Sequence, residues 1–142
     1  MLDASAGIAV ALDRPEGRAI GRVLGSVQEV LAPSLYTFET ANAVWKHQMA
    51  GGLDPVRAAA AFRAAQGLVD KFVDDEGVVA SALVDAAKLG HPAYDLVYTA
   101  LARQAGAYLC TLDQRLEVLA GELGVPVVKT AHWPSAGDQS AD

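Results

Sequence analysis

Short apolar runs alternate along this chain with longer segments in which apolar residues recur every three or four positions, the pattern of buried strands joined by amphipathic helices. The opening MLDASAGIAVAL is apolar with small residues and carries Asp3 near its start, which predicts a short buried strand, a turn and then a first helix. Pro15 suits a first helical position, and from Glu16 to Glu29 the residues Ile20, Val23, Leu24 and Val27 fall on one helical face. EVLAP predicts a second strand, stopped by Pro33. The next helix starts at Pro33-Ser34 and stops at Gly51-Gly52. Leu35, Phe38, Asn42, Trp45 and Met49 share an arc expected to face the core, and Glu39 lies at its edge.

Asp54-Pro55 is a capping residue followed by a first-turn proline, opening the Ala-rich helix VRAAAAFRAAQGLV. KFV predicts a brief edge strand. Asp75 caps EGVVASALVDAAKL, which Gly90 ends, and His91-Pro92 is the break before another helix. In that helix Tyr94, Tyr98, Leu101, Ala102 and Ala105 share an arc bordered by Asp95. AYLCT then reads as a strand, QRLEVLAGELG as a helix and VPVVK as a last strand. Strands separated by helices require crossovers, hence a parallel sheet with helices on both faces: an α/β domain of three layers, α/β/α, with a short central sheet. There are no repeats and no linker. One domain is expected over residues 1–134, followed by a polar tail at 135–142 with nothing to bury.

Composition narrows the function. With 11 Lys and Arg against 17 Asp and Glu the net charge is −6, which excludes nucleic-acid binding by bulk electrostatics and requires any such binding to use a local basic patch. Arg14, Arg18 and Arg22, four apart, are candidates for that patch or form a solvated helix face; Lys46, seven residues beyond Glu39 on the same face, is a second candidate. Cys110 is the sole cysteine, so no internal disulfide forms, and it reads as a core thiol. With no leader pattern and no apolar run of membrane length, a cytoplasmic protein is expected.

Four acids resist a purely structural explanation. Asp113 ends the predicted strand AYLCT, on the sheet edge where α/β folds bind ligands, and it also stands where an N-cap of the following helix belongs. Asp3 enters an apolar segment in which an ionised carboxylate needs a partner or an outward orientation. Glu39 and Asp95 each border an apolar arc, as solvated edge residues also do. Several carboxylates on one cleft suit a hard divalent cation such as Mg²⁺ or Mn²⁺, which generates a hydroxide nucleophile and stabilises charge on a phosphodiester. Zinc does not fit, because His47, His91 and His132 lack ligand spacing.

The segments LDASAGIAVAL, APSLYTFETANAVW, HPAYDLVYTALARQAG and YLCTLDQRL, in this order, resemble a PIN-domain ribonuclease of the VapC toxin kind over roughly residues 1–134. The resemblance implies a PIN-like fold and an Mg²⁺- or Mn²⁺-dependent endoribonuclease, the toxin of a toxin–antitoxin pair. Asp3, Glu39, Asp95 and Asp113 would be catalytic, with Asp3, Asp95 and Asp113 on the metal and Ser5 and Thr111 as supporting hydroxyls. It also implies an RNA substrate, a homodimer and a cognate antitoxin. Only two residues precede Asp3, so the first strand is expected to be short. A phospho-receiver module, with Lys129 as its late lysine, is the rival from another class. It wants paired acids at the end of the first strand, whereas Glu39 lies within a helix. A non-catalytic PIN-like binding protein is the third reading.

Overall fold

The computed structural model describes residues 1–133; the polar tail expected at 135–142, and residue 134, lie outside the described residues. Helices α1 (Ala4–Ala11), α2 (Pro15–Leu24), α3 (Leu35–Met49), α4 (Pro55–Gln66), α5 (Glu76–Leu89), α6 (Ala93–Ala105) and α7 (Gln114–Glu122) pack around a short parallel sheet, and a 3₁₀ turn follows at Thr130–His132. β1 (Leu31–Ala32) pairs in parallel with β2 (Lys71–Phe72). Single bridges extend the parallel order, Leu2 to Cys110 and Leu109 to Val127. Leu2 N–H also donates to Leu31 O at 2.8 Å, so Leu2 joins β1 to the Cys110 side. This is the expected α/β, PIN-like architecture, with far less strand than the sequence predicts.

The largest departure is at the start. The predicted first strand shrinks to Leu2, and the apolar run behind it is α1, capped by Asp3, whose carboxylate accepts from Ser5 N–H at 3.3 Å. A short run that is apolar all round cannot be told from a strand by periodicity. Ala4, Ala6, Gly7, Ile8 and Ala9 are buried on every side, against α2, α3 and α4. AYLCT and VPVVK likewise contribute only Leu109, Cys110 and Val127 to pairing. α2 stops at Leu24, five residues earlier than its apolar spacing suggests, where Gly25 and Ser26 turn the chain; Ser26 Oγ donates to Val23 O at 2.7 Å.

The face of α3 is also corrected. Phe38, Trp45 and Met49, expected in the core, are 72%, 54% and 63% exposed, and Tyr36, Thr40 and Val44 point inward instead. Anchoring to α4 sets this face: Tyr36 OH donates to Ala65 O at 2.8 Å, Gln66 Nε2 donates to Thr40 Oγ1 at 2.8 Å, and Val44 packs with Ala58, Ala61 and Ala65. In α6, Tyr94 is exposed while Leu96, Tyr98, Thr99 and Leu101 are buried. Cys110 is a free core thiol, and burial pushes it up to about 11, too high for reactivity near neutral pH. Among the described residues no helix is long and apolar enough to cross a membrane.

Candidate functional site

The ends of four separate segments bring carboxylates to one place. Asp3 caps α1, Glu39 lies one turn into α3, Asp95 lies in the first turn of α6 and Asp113 caps α7; all four line a cavity of about 50 Å³. That volume holds a few water molecules. His91, Tyr98 and Arg115 complete its polar wall, and Leu116 and Leu119 supply the apolar part.

Each acid is held differently. Asp3 is only 6% exposed; its Oδ2 accepts from Ser5 Oγ and, at 2.7 Å, from Thr111 Oγ1. The two hydroxyls are themselves fixed, since Ser5 Oγ accepts from Leu112 N–H at 2.9 Å and Thr111 Oγ1 from Asp113 N–H at 3.0 Å. Glu39 accepts from the buried Tyr98 hydroxyl through Oε2. Asp95 has His91 Nδ1 at 3.4 Å from its Oδ2. Asp113 Oδ1 accepts from the N–H groups of Arg115 and Leu116 at 2.8 and 3.2 Å, so it is an N-cap and a cavity residue at once.

Burial pushes the carboxyls of Asp3, Glu39 and Asp95 above the usual carboxylate range. Hydrogen bonds from Ser5 and Thr111 oppose the shift at Asp3, and the Tyr98 bond opposes it at Glu39. Repulsion adds to it: Asp3, Asp95 and Asp113 raise Glu39, and Asp113 raises Asp95 against the pull of His91 and Arg115. Groups raised in the folded state favour folding at acid pH, below their unfolded values, and that contribution is lost as pH rises through the folded values. The protein without cations is therefore expected to lose melting temperature from about pH 4 toward neutrality. Mg²⁺ should restore it at pH 7 and have little effect at pH 4. A pH-independent response to Mg²⁺ in thermal melts would disconnect these acids from cation binding.

The donor set suits a hard cation, with four carboxylates in its lining against the guanidinium of Arg115. Among the described residues no three His, Cys, Asp or Glu groups are arranged to hold an ion directly. Mg²⁺ does not need such a cage, since it keeps several waters and takes one or two carboxylates. The residues thus fit a hydrated ion rather than a closed structural site.

The acid cavity adjoins a wider groove of about 520 Å³, which shares Asp3, Glu39 and Asp113 with it and is flanked by Arg14, Lys46, His47 and Asn42. Arg14 Nη2 lies 2.8 Å from His47 Nε2. The arginine stripe does not converge here. Arg18 lies outside the groove lining and is ion-paired with Asp13 at 2.9 Å, while Arg22 is exposed farther along α2. Lys129 pairs with Glu117 and lines neither the acid cavity nor the groove, unlike the lysine a phospho-receiver site needs. Sequence reasoning missed His91, Tyr98 and Arg115 as cavity residues. Their signal was present, as His91 and Tyr98 flank Asp95 by about one turn on either side and Arg115 follows Asp113 by two positions.

An α/β fold on a short parallel sheet, with an acid-lined cavity beside a groove bearing Arg14 and Lys46, is the architecture expected of a PIN-like protein. The chain is 31% identical to Ribonuclease VapC3 of Pyrobaculum aerophilum across 82% of its own length and 90% of that protein's. It belongs to the VapC ribonuclease family. The crystal structure of PAE2754 from Pyrobaculum aerophilum has the same fold, with a TM-score of 0.67 and 23% identity, covering 86% of this chain and 89% of that one. No family model matches the chain.

Proposed function

We propose that this protein is an Mg²⁺- or Mn²⁺-dependent endoribonuclease, and that it acts in the cytoplasm as the toxin of a toxin–antitoxin pair. The observation that carries this reading is the meeting of four carboxylates on one cavity that shares Asp3, Glu39 and Asp113 with a groove bearing Arg14 and Lys46. Asp3, Asp95 and Asp113 are the residues to hold the cation, with Glu39 beside them; when bound, the cation supplies an activated water and neutralises charge developing on the phosphodiester. Ser5 and Thr111 orient Asp3 by fixing Oδ2. Arg14 and Lys46 hold the RNA backbone alongside, as the two cationic side chains of a groove that also bears Asp3, Glu16, Glu39 and Asp113.

The direct test is cleavage of mixed RNA by purified protein. Cleavage within the strand is expected with Mg²⁺ or Mn²⁺, falling to background in EDTA and returning when the cation is restored. Activity undiminished by EDTA would exclude this mechanism.

The partners follow the same reading. An antitoxin arginine would pair with the carboxylates in bidentate fashion and compete for the oxygens the cation needs. Growth arrest on induction, relieved by co-expressing a small neighbouring reading frame, is the expected behaviour. A protein harmless when induced alone would leave an RNA-processing or purely binding role as the better description. The exposed Phe38, Trp45 and Met49 give α3 an apolar surface of the kind that second copies cover, and a homodimer is expected at micromolar concentration in sedimentation. A strictly monomeric particle would argue against it.

A further inference from the structure

Glu39 lines two spaces, the acid cavity and the wider groove, whereas Tyr98 lines the cavity alone. The two meet where α3 faces α6, and there the Tyr98 hydroxyl donates to Glu39 Oε2. Tyr98 is 1% exposed and follows Asp95 by three positions on α6, so one face of that helix brings an acid and a phenol to the same cavity. Burial, and after it the charge of Glu39, hold the phenol far above its ordinary range, so the hydroxyl keeps its proton and remains a donor. Every other influence on Glu39 disfavours its charge: it is partly buried, and Asp3, Asp95 and Asp113 repel it. Among the described residues the Tyr98 hydroxyl is the one group that donates to this carboxyl.

We infer that Tyr98 is a positioning residue: its hydroxyl holds the Glu39 carboxyl in the acid cavity, in place for a divalent cation, against the groove into which that side chain would otherwise turn. Glutamate has a long, freely rotating stem, and a carboxylate that leaves the cavity for open solvent escapes both desolvation and the repulsion of the other acids. The phenol opposes this at little cost. Its ring is packed and its hydroxyl is out of water whether or not Glu39 is there, so the bond also spares a buried donor from being left unpaired. A cation then meets a carboxyl already in the cavity and spends no binding energy on drawing it in. The cation arm of this inference rests on the ribonuclease reading; the place of the Glu39 carboxyl does not.

Tyr98→Phe keeps the ring and removes the donor. In crystals of the cation-free protein the Glu39 carboxyl of Tyr98→Phe is expected to have turned into the groove, while wild type keeps it against Tyr98. A carboxyl unmoved in Tyr98→Phe overturns the inference, whatever the protein cleaves. The second measurement is Mn²⁺ binding, followed through the paramagnetic resonance of the free ion. With folding checked by thermal melts, Tyr98→Phe should weaken binding about 10-fold. In a Glu39→Ala background, where the remaining acids still hold the ion, the same substitution should change it by less than about 2-fold. An equal loss in both backgrounds overturns the inference, because Tyr98 would then support the cavity at large and not Glu39; so does a loss in neither. RNA cleavage by Tyr98→Phe should need about 10-fold more Mn²⁺ for half its maximal rate and approach the wild-type rate at saturation. A wild-type protein that binds Mn²⁺ but cleaves no RNA defeats the ribonuclease reading, and the crystal and binding results still decide for or against Tyr98. One that binds no Mn²⁺ defeats the cation site, and the place of the Glu39 carboxyl alone then decides.

Discussion

Asp3→Asn and Asp95→Asn should each lower RNA cleavage by at least about 100-fold while the protein stays folded, because each keeps the side chain's shape and removes a charge from the proposed cation site. At Asp3 the amide oxygen can still accept from Ser5 and Thr111, so the local hydrogen bonds survive. Its folded-state pKa is already raised by burial, and deleting the charge relieves a cost at neutral pH. Loss of activity with an undiminished melting temperature is therefore the signature to look for. Glu39→Gln should behave alike, with Tyr98 still donating to the retained oxygen. Asp113→Asn is the milder case. Asn caps a helix about as well as Asp, so α7 keeps its start and any loss of rate reports the charge alone. Full activity in two of Asp3→Asn, Asp95→Asn and Glu39→Gln would remove the site.

The second large effect is on stability and lies outside the site. Gly17→Ala is expected to destabilise the protein by about 3 kcal/mol, the upper end of ordinary overpacking, with urea unfolding as the measurement. A Cβ at Gly17 would stand 2.1 Å from Ala9 O and 2.6 Å from Val10 N, so backbone meets backbone and no rotamer change relieves it. α1 and α2 would have to separate, and α1 carries Asp3 at its N-terminus. Gly21, one turn later on the same helix, is the control. Its Cβ would come no closer than 3.8 Å to Val10 Cγ1, so Gly21→Ala should be neutral or stabilising by up to about 1 kcal/mol through helix propensity. Equal stability for the two variants would mean that α1 and α2 are not packed this closely.

The sequence by itself determined whatever depends on neighbouring residues. Asp54, Asp75 and Asp113 cap the helices they were expected to cap, and Gly90 stops its helix with φ 62°. Each of these outcomes is decided within a single turn of chain. The parallel α/β class was legible for a similar reason, since the alternation of strand-like and helix-like segments already implies crossovers.

Tertiary structure alone decided the rest. α1 is helical because small residues let three other helices close around it, which no periodicity in an all-apolar run can announce. Tyr36, Thr40 and Val44 won the inner face of α3 over Phe38, Trp45 and Met49 because they meet partners on α4: Ala65 O for Tyr36, Gln66 for Thr40 and the α4 alanines for Val44. Arg18 was taken by Asp13, and Arg14 alone of its stripe reached the groove. The acids drew attention one by one as charges on apolar shoulders. Their meeting on a single cavity, with His91 buried beside them, depends on how four segments distant in sequence pack together, and no local pattern carries that information.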